Sequence, residues 1–231
     1  MYTKRIVIIA AGGKGSRMKS NMPKQYLVLA DKPVLMHTID LFKDIVDKII
    51  VVVHPEMISY WQQECIKYQF TVSHEIVAGG ITRFQSVQNG FNYLAEKYSE
   101  VFEKGYCIAI HDAARPLTDK VLIEKSFDLA ANGFCNVLAV QSSNSIRLGN
   151  KTQSSSIDRD QVWQIQTPQT FPSEVLKEAF SQEESALFTD DASVVEKIGY
   201  PIHLLESNPK NIKITYPEDL EIAKLYLKIC D

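Results

Sequence analysis

Lys14, Arg17 and Lys24 are spread through residues 10–26, "AAGGKGSRMKSNMPKQY", directly after the apolar run Ile6-Val7-Ile8-Ile9. Three of the chain's 10 glycines, Gly12, Gly13 and Gly15, lie in the same stretch. A backbone without Cβ atoms lets its N–H groups approach an anion closely. A guanidinium grips phosphate oxygens as a fork, and an ammonium adds a point charge. The chemistry on offer is the holding of phosphate; a glycine turn with solvated cations is the other reading of the same residues.

Two common phosphate loops are excluded. A Walker loop needs G-x-x-x-x-G-K-[ST], but Ser16-Arg17 follows Gly15. A dinucleotide fingerprint needs a small residue where this chain has Met18. Pro23 also opposes a regular helix starting at once. An open loop at the end of a first strand remains.

Further candidates sit in "AGGITR" (78–83) and "HDAARP" (111–116). Both follow predicted strands, so both should emerge at the edge of a parallel sheet where ligands bind. Lys14, Arg17, Lys24, Arg83 and Arg115 are expected to converge there. Asp112 among them suits a sugar hydroxyl, Mg²⁺ on phosphates, or a salt bridge to Arg115. His111 reads as a packed strand-end histidine, and Asp190-Asp191 as a helix start. Net charge is −3, from 25 basic and 28 acidic residues. The positive field is therefore local, and neither nucleic acid nor an anionic membrane is the expected main partner.

The elements that must position these residues alternate between strand and helix. Buried strands are expected at 5–10, 48–53, 71–77, 106–110 and 136–140. Helices are expected at 34–42, at 55–67 with Pro55 at its start, from about Thr82, and at 119–132 with Gly133 as the stop. This alternation predicts an α/β fold, a mainly parallel sheet with helices on both faces. Residues 141–163 break the pattern: they are polar and serine-rich, with a turn signal at Gly149-Asn150. They read as a ribbon leaving the sheet. A strand at 162–167, a helix at 190–198, strands at 202–206 and 211–214, and a last helix opened by a Thr215/Glu218 capping box complete the chain. One domain spans 1–231. Four cysteines show no CxxC or zinc spacing. No apolar run approaches the ~20 residues of a membrane span. A reducing, cytoplasmic location is expected.

Taken in order, "AAGGKGSRM" with "PKQY", "GGITRFQS", "HDAARP", "IDRDQVWQIQTPQTF", "TDDAS" and "NIKITYPEDL" resemble the 2-C-methyl-D-erythritol 4-phosphate cytidylyltransferases of the non-mevalonate isoprenoid pathway. The resemblance covers nearly the whole chain. Ribitol-5-phosphate cytidylyltransferases share the fold, the glycine loop, "PKQ" and the TPQ segment. The Ala-Ala of "HDAARP", the Asp-Arg of "IDRDQVW", and "TDDAS" followed by "NIKIT" favour the erythritol branch.

The resemblance implies a Rossmann-like three-layer nucleotidyltransferase fold. It implies that Ala11, Gly12, Gly13, Gly15 and Arg17 wrap the triphosphate of CTP. Arg17 and Lys24 would stabilise charge at the α-phosphate, with Lys213 near the triphosphate. Gly80 and Ser86 would read cytosine. Asp112 and Ala113 would face the nucleotide; Arg115, Arg159 and Thr167 would face the polyol phosphate. Ser145 follows Asn144 where the family usually has Asp-Thr, so the hydroxyl is kept and a charge is lost. Residues 141–163 would be a dimerisation arm, interlocked in a homodimer.

The implied reaction is attack of the acceptor phosphate on the α-phosphorus of CTP, releasing pyrophosphate. A phosphate monoester, with its second pKa near ~6, is already a nucleophile at neutral pH, so no general base is required. Mg²⁺ is expected to arrive with CTP, because no all-protein metal cage is visible. A nicotinamide-dependent oxidoreductase would need the fingerprint that fails at Met18. A non-catalytic nucleotide-binding module would have no need of Lys24, Arg159 and Lys213 together.

Overall fold

The first strand, β1 (Lys4–Ala11), runs through the centre of the molecule in the computed structural model, which describes residues 3–13, 18, 22–102 and 105–229. Its side chains alternate between two cores, as a strand buried on both faces requires. Ile6 and Ile8 face one core, while Val7, Ile9 and Ala11 face the other.

β1 pairs in parallel with β4 (Lys48–Val53) on one side and β6 (Tyr106–Asp112) on the other. The chain thus moves outward from β1 in one direction and later returns to extend the other. The sheet has seven strands, with β5 (Glu75–Ala78), β7 (Asn136–Gln141), β10 (Trp163–Pro172) and β11 (His203–Glu206) completing it in the order β11-β7-β10-β6-β1-β4-β5. It is mainly parallel; β10 alone runs antiparallel to its neighbours β6 and β7. A two-strand ribbon, β2 (Val28–Leu29) with β3 (Lys32–Pro33), lies apart from this sheet.

Helices cover both faces. α1 (Val34–Phe42), α2 (Ile58–Lys67) and α4 (Lys120–Ala131) pack through Leu35, Ile39, Phe42, Trp61, Ile123 and Phe127 on one. α3 (Arg83–Lys97), α5 (Ser173–Ala179) and α6 (Asp191–Glu196) pack on the other, around Phe84, Phe91, Leu176 and Val195. Gly90 lets α3 approach the sheet: a Cβ there would lie 2.9 Å from Val52 and 3.1 Å from Ile8. α7 (Pro217–Ile229) packs on a third, smaller cluster through Ala223 with Leu29, Val34, Ala114 and Ile214.

The predicted ribbon is a hairpin of β8 (Ile146–Gly149) and β9 (Ser154–Ile157), outside the main sheet. Its turn is at Gly149, whose φ of +148° suits glycine. Leu148, Ile157 and, at its base, Ile165 are exposed.

Several boundaries differ from the sequence reading. The helix expected over 55–67 opens with a 3₁₀ turn, Pro55–Met57, before α2. β5 starts at Glu75 rather than at 71, because the His74 ring turns back on the Val72 carbonyl and takes the Trp61 N–H. The strand expected at 162–167 continues as β10 to Pro172, with its register to β7 shifting between Ile165 and Gln169. Residues 211–214 form no strand. Ile214 N–H donates to the Ala114 carbonyl, and Asn211 is fixed through its side chain. At α7 the capping carboxylate is Asp219, not Glu218: it accepts from the backbone N–H groups of Thr215 and Tyr216. α5 had no counterpart in the sequence reading.

Candidate active site

The register sets the ends of four strands level. Ala11 lies beside Val53, Val53 beside Ala78, and Ala10 beside Asp112. The loops that follow enclose a cleft of about 780 Å³. This is the C-terminal edge of the sheet at its switch point, where open α/β folds bind ligands.

One wall is the glycine loop. Gly12, Gly13, Lys24 and Gln25 line it. Gln25 is buried, and its Nε2 donates to the carbonyls of Ala11 at 2.6 Å and Gly13 at 2.9 Å. Tying up these carbonyls fixes how the loop leaves β1. Gln25 was quoted in the sequence within "PKQY" but given no role; a polar residue next to a loop lysine carries no signal of the carbonyls it will meet. Ala11 faces the core instead of the cleft, because side chains alternate along β1 and Ala10 takes the cleft face. Gly15 and Arg17, like Lys14, lie outside the described residues.

The opposite wall is the start of α3. Thr82 caps the helix, accepting from Gln85 N–H. Ser86 Oγ donates to the Thr82 carbonyl at 2.8 Å and accepts from Gly80 N–H at 3.1 Å. A Cβ on Gly80 would stand 2.3 Å from Gln85 Cβ, so only glycine fits this turn. Gly80 and Ser86 are thus locked together at the cleft.

Asp112 and Ala113 form the floor. The Asp112 carboxylate is buried among three cations: Lys213 Nζ at 2.8 Å, Arg115 Nε at 3.4 Å and Arg83 Nη2 at 3.7 Å. Burial alone would raise its pKa, but Arg83, Lys213 and Arg115 hold it far below the ordinary carboxylate range. It is ionised at any working pH. Ile212 and Ile214 pack on the third core, while Lys213 and Thr215 between and after them line the cleft.

Arg115 does not line this cleft; its guanidinium is buried, with Nη1 donating to the Asn211 carbonyl at 2.7 Å. Its fork holds the 211–215 segment in place, while Lys213 on that segment reaches the cleft. Thr167 is buried behind the floor, where its Oγ1 accepts from Asp112 N–H at 3.0 Å and meets His111 Nδ1 at 3.0 Å. His111 Nε2 faces the Arg115 carbonyl, so it carries the ring proton and Nδ1 accepts from Thr167. Burial lowers the His111 pKa to about 4. This is a packed, neutral histidine, as its position suggested. His54 lines the cleft mouth, which the sequence reading did not foresee. Ser145 and Arg159 are exposed on the arm segment and do not line the cleft.

A glycine loop without a dinucleotide fingerprint, two lysines and a locked Gly80–Ser86 turn, set at the switch point of a mainly parallel sheet, define a nucleotidyltransferase. The family model described as "IspD: 2-C-methyl-D-erythritol 4-phosphate cytidylyltransferase" matches residues 5–229. An enzyme of that name from Porphyromonas gingivalis is 43% identical over 228 residues, covering 98% of this chain and 99% of its own. Another from Bacteroides thetaiotaomicron is 40% identical over 226 residues, covering 97% and 100%. Among solved structures, a 4-diphosphocytidyl-2C-methyl-D-erythritol synthase superposes with a TM-score of 0.80 at 31% identity, over 97% of this chain and 99% of that one. The Francisella tularensis enzyme gives 0.78 at 31% identity, over 97% and 100%. The chain belongs to the 2-C-methyl-D-erythritol 4-phosphate cytidylyltransferase family. Its activity is CTP-dependent cytidylyl transfer in isoprenoid biosynthesis.

Proposed function

We propose that the cleft binds CTP with its triphosphate along the glycine loop and its base against Gly80 and Ser86. The phosphate of 2-C-methyl-D-erythritol 4-phosphate then attacks the α-phosphorus in line. The observation that carries this reading is the meeting of Lys24, Lys213, Gly12, Gly13, Gly80 and Ser86 in one cleft. The attacking phosphate is ionised at neutral pH and needs no base, which agrees with a neutral, fully bonded His111. Lys24 and Lys213 would hold the charge that builds around the transferred phosphoryl group. Ser86 presents one fixed hydroxyl, and the glycines beside it leave room for backbone contact with a pyrimidine edge.

The residues fit a divalent cation carried by the nucleotide. Among the described residues no group of three metal-ligating side chains forms a cage. Asp112 supplies an ionised carboxylate at the floor, beside where phosphates would lie. Bound Mg²⁺ would neutralise phosphate oxygens and ease pyrophosphate departure. A panel of CTP, UTP, ATP and GTP with methylerythritol phosphate, read by pyrophosphate release, tests the nucleotide assignment. CTP should exceed the others by at least about 100-fold in kcat/KM, since Gly80 and Ser86 read a single base edge.

The arm supports a second part of the reading. A polar hairpin carrying exposed Leu148 and Ile157 buries little against its own subunit. We propose that it crosses to a partner in a homodimer and delivers Arg159 to the partner's cleft, with Ser145 nearby. A mixed dimer of Lys24→Ala and Arg159→Ala subunits tests it. One site would then keep both residues, and activity should recover to about half, as two-fold symmetry requires. No recovery in verified mixed dimers would contradict it. A cytoplasmic location is proposed with it; no helix among the described residues is long and apolar enough to cross a membrane.

A further inference from the structure

Asp191 is almost wholly buried at the first turn of α6, yet it points to the cleft wall. Its two carboxylate oxygens take both ends of the Arg83 fork: Nη1 to Oδ1 at 2.7 Å and Nη2 to Oδ2 at 2.6 Å. Arg83 lines the cleft, and its Nη2 stands 3.7 Å from Asp112 Oδ1. The other Asp112 oxygen holds Lys213. A line of alternating charge therefore runs Asp191–Arg83–Asp112–Lys213.

The far end of this line is itself clamped. Gln169 Nε2 donates to Asp190 Oδ2 at 2.8 Å, and Gln169 Oε1 accepts from Ala192 N–H at 2.8 Å. Asp191 sits between these two fixed points. The near end is clamped from the same strand, since Thr167 takes Asp112 N–H. Thr167 and Gln169 of β10 thus fix the chain on both sides of Arg83, one through the Asp112 N–H and the other through the two neighbours of Asp191.

We infer that Asp191 is a positioning residue of the transfer reaction: it anchors Arg83, so that Asp112 stays shared with Lys213 and Lys213 stays in the cleft. The inference rests on the reading above, in which Lys213 meets the triphosphate. The balance of charge gives the reason. A carboxylate on the outer side of Arg83 draws the guanidinium away from Asp112, leaving 3.7 Å between them where a direct bond would need about 2.8 Å. Without the Asp191 charge, Arg83 would close on Asp112 and compete with Lys213 for it.

The test is a double-variant cycle of Asp191→Asn and Arg83→Gln. Asparagine keeps the shape and the helix position but not the charge. Asp191→Asn should lower kcat by about 10- to 100-fold, the scale of a small misplacement of a reacting group, with a smaller change in the KM for CTP. The double variant removes both charges and leaves none buried alone, so it should fold even if Asp191→Asn does not. Its kcat should equal that of Arg83→Gln alone, because Asp191 acts only through Arg83. In parallel, ¹⁵N spectra of arginine side chains should show Arg83's N–H groups slowed by the two-point grip in wild type and averaged in Asp191→Asn. Multiplying effects in an active enzyme, or an Arg83 spectrum unchanged by Asp191→Asn, would overturn the relay. An inactive wild type would instead overturn the reaction reading, and the relay's catalytic role with it; the spectra would still decide the anchoring.

Discussion

Lys213 and Asp112 form an ion pair at 2.8 Å, although they lie far apart in the chain. The pair gives Lys213 a fixed place before any ligand arrives. It also makes Asp112 the hub on which Arg83 and Arg115 converge.

Asp112→Asn should therefore destabilise the protein and slow it. Three cations would lose their shared counter-charge, at a cost of about 1–3 kcal/mol, moderated because Lys213 and Arg83 are partly exposed. Urea unfolding measures the first effect and steady-state turnover the second. Wild-type stability in the variant would mean that the hub is not structural.

Lys24→Ala should lower turnover by about 10²–10³ while weakening CTP binding far less, if its charge acts mainly as the α-phosphorus is attacked. Calorimetric CTP binding set beside single-turnover rates separates the two. A loss confined to affinity would move Lys24 to a ground-state role.

Gln25→Glu should raise the KM for CTP more than Lys24→Ala does. A carboxylate placed 2.6–2.9 Å from two loop carbonyls repels them, so the glycine loop would leave its course. An unchanged KM would show that the loop holds its shape without Gln25.

His111 makes stability depend on pH. Folding lowers its pKa from about 6.5 to about 4, through burial. Between those values the unfolded chain binds a proton that the folded chain refuses. Its contribution is full above about pH 6.5 and falls as pH drops toward 4, a loss of about 3 kcal/mol over the window. His111→Gln should flatten the stability slope there, measured by urea midpoints from pH 7.5 to 4. Equal slopes in the two proteins would contradict the burial account.

Much of this was legible in the sequence, and the reason differs by residue. Ile6–Ile9 and the "KIIVVV" of β4 read as buried strands because apolar β-branched runs of that length have few other uses. Gly133 marked a helix end through its own chemistry, a positive φ. Gly149 marked the hairpin turn in the same way. The roles of Gln25, Asp191 and Gln169 were hidden, because each acts on groups distant in sequence. Arg115 likewise carried no sign in the sequence of the Asn211 carbonyl that its guanidinium meets.

The central claim is the reaction itself, and an acceptor panel with CTP tests it most directly. Methylerythritol 4-phosphate, ribitol 5-phosphate and a sugar 1-phosphate would each be supplied, with pyrophosphate release as the readout. The account predicts the highest kcat/KM for methylerythritol 4-phosphate, with Asn144-Ser145 still supporting it. A higher kcat/KM for ribitol 5-phosphate, or no pyrophosphate with any acceptor, would contradict it.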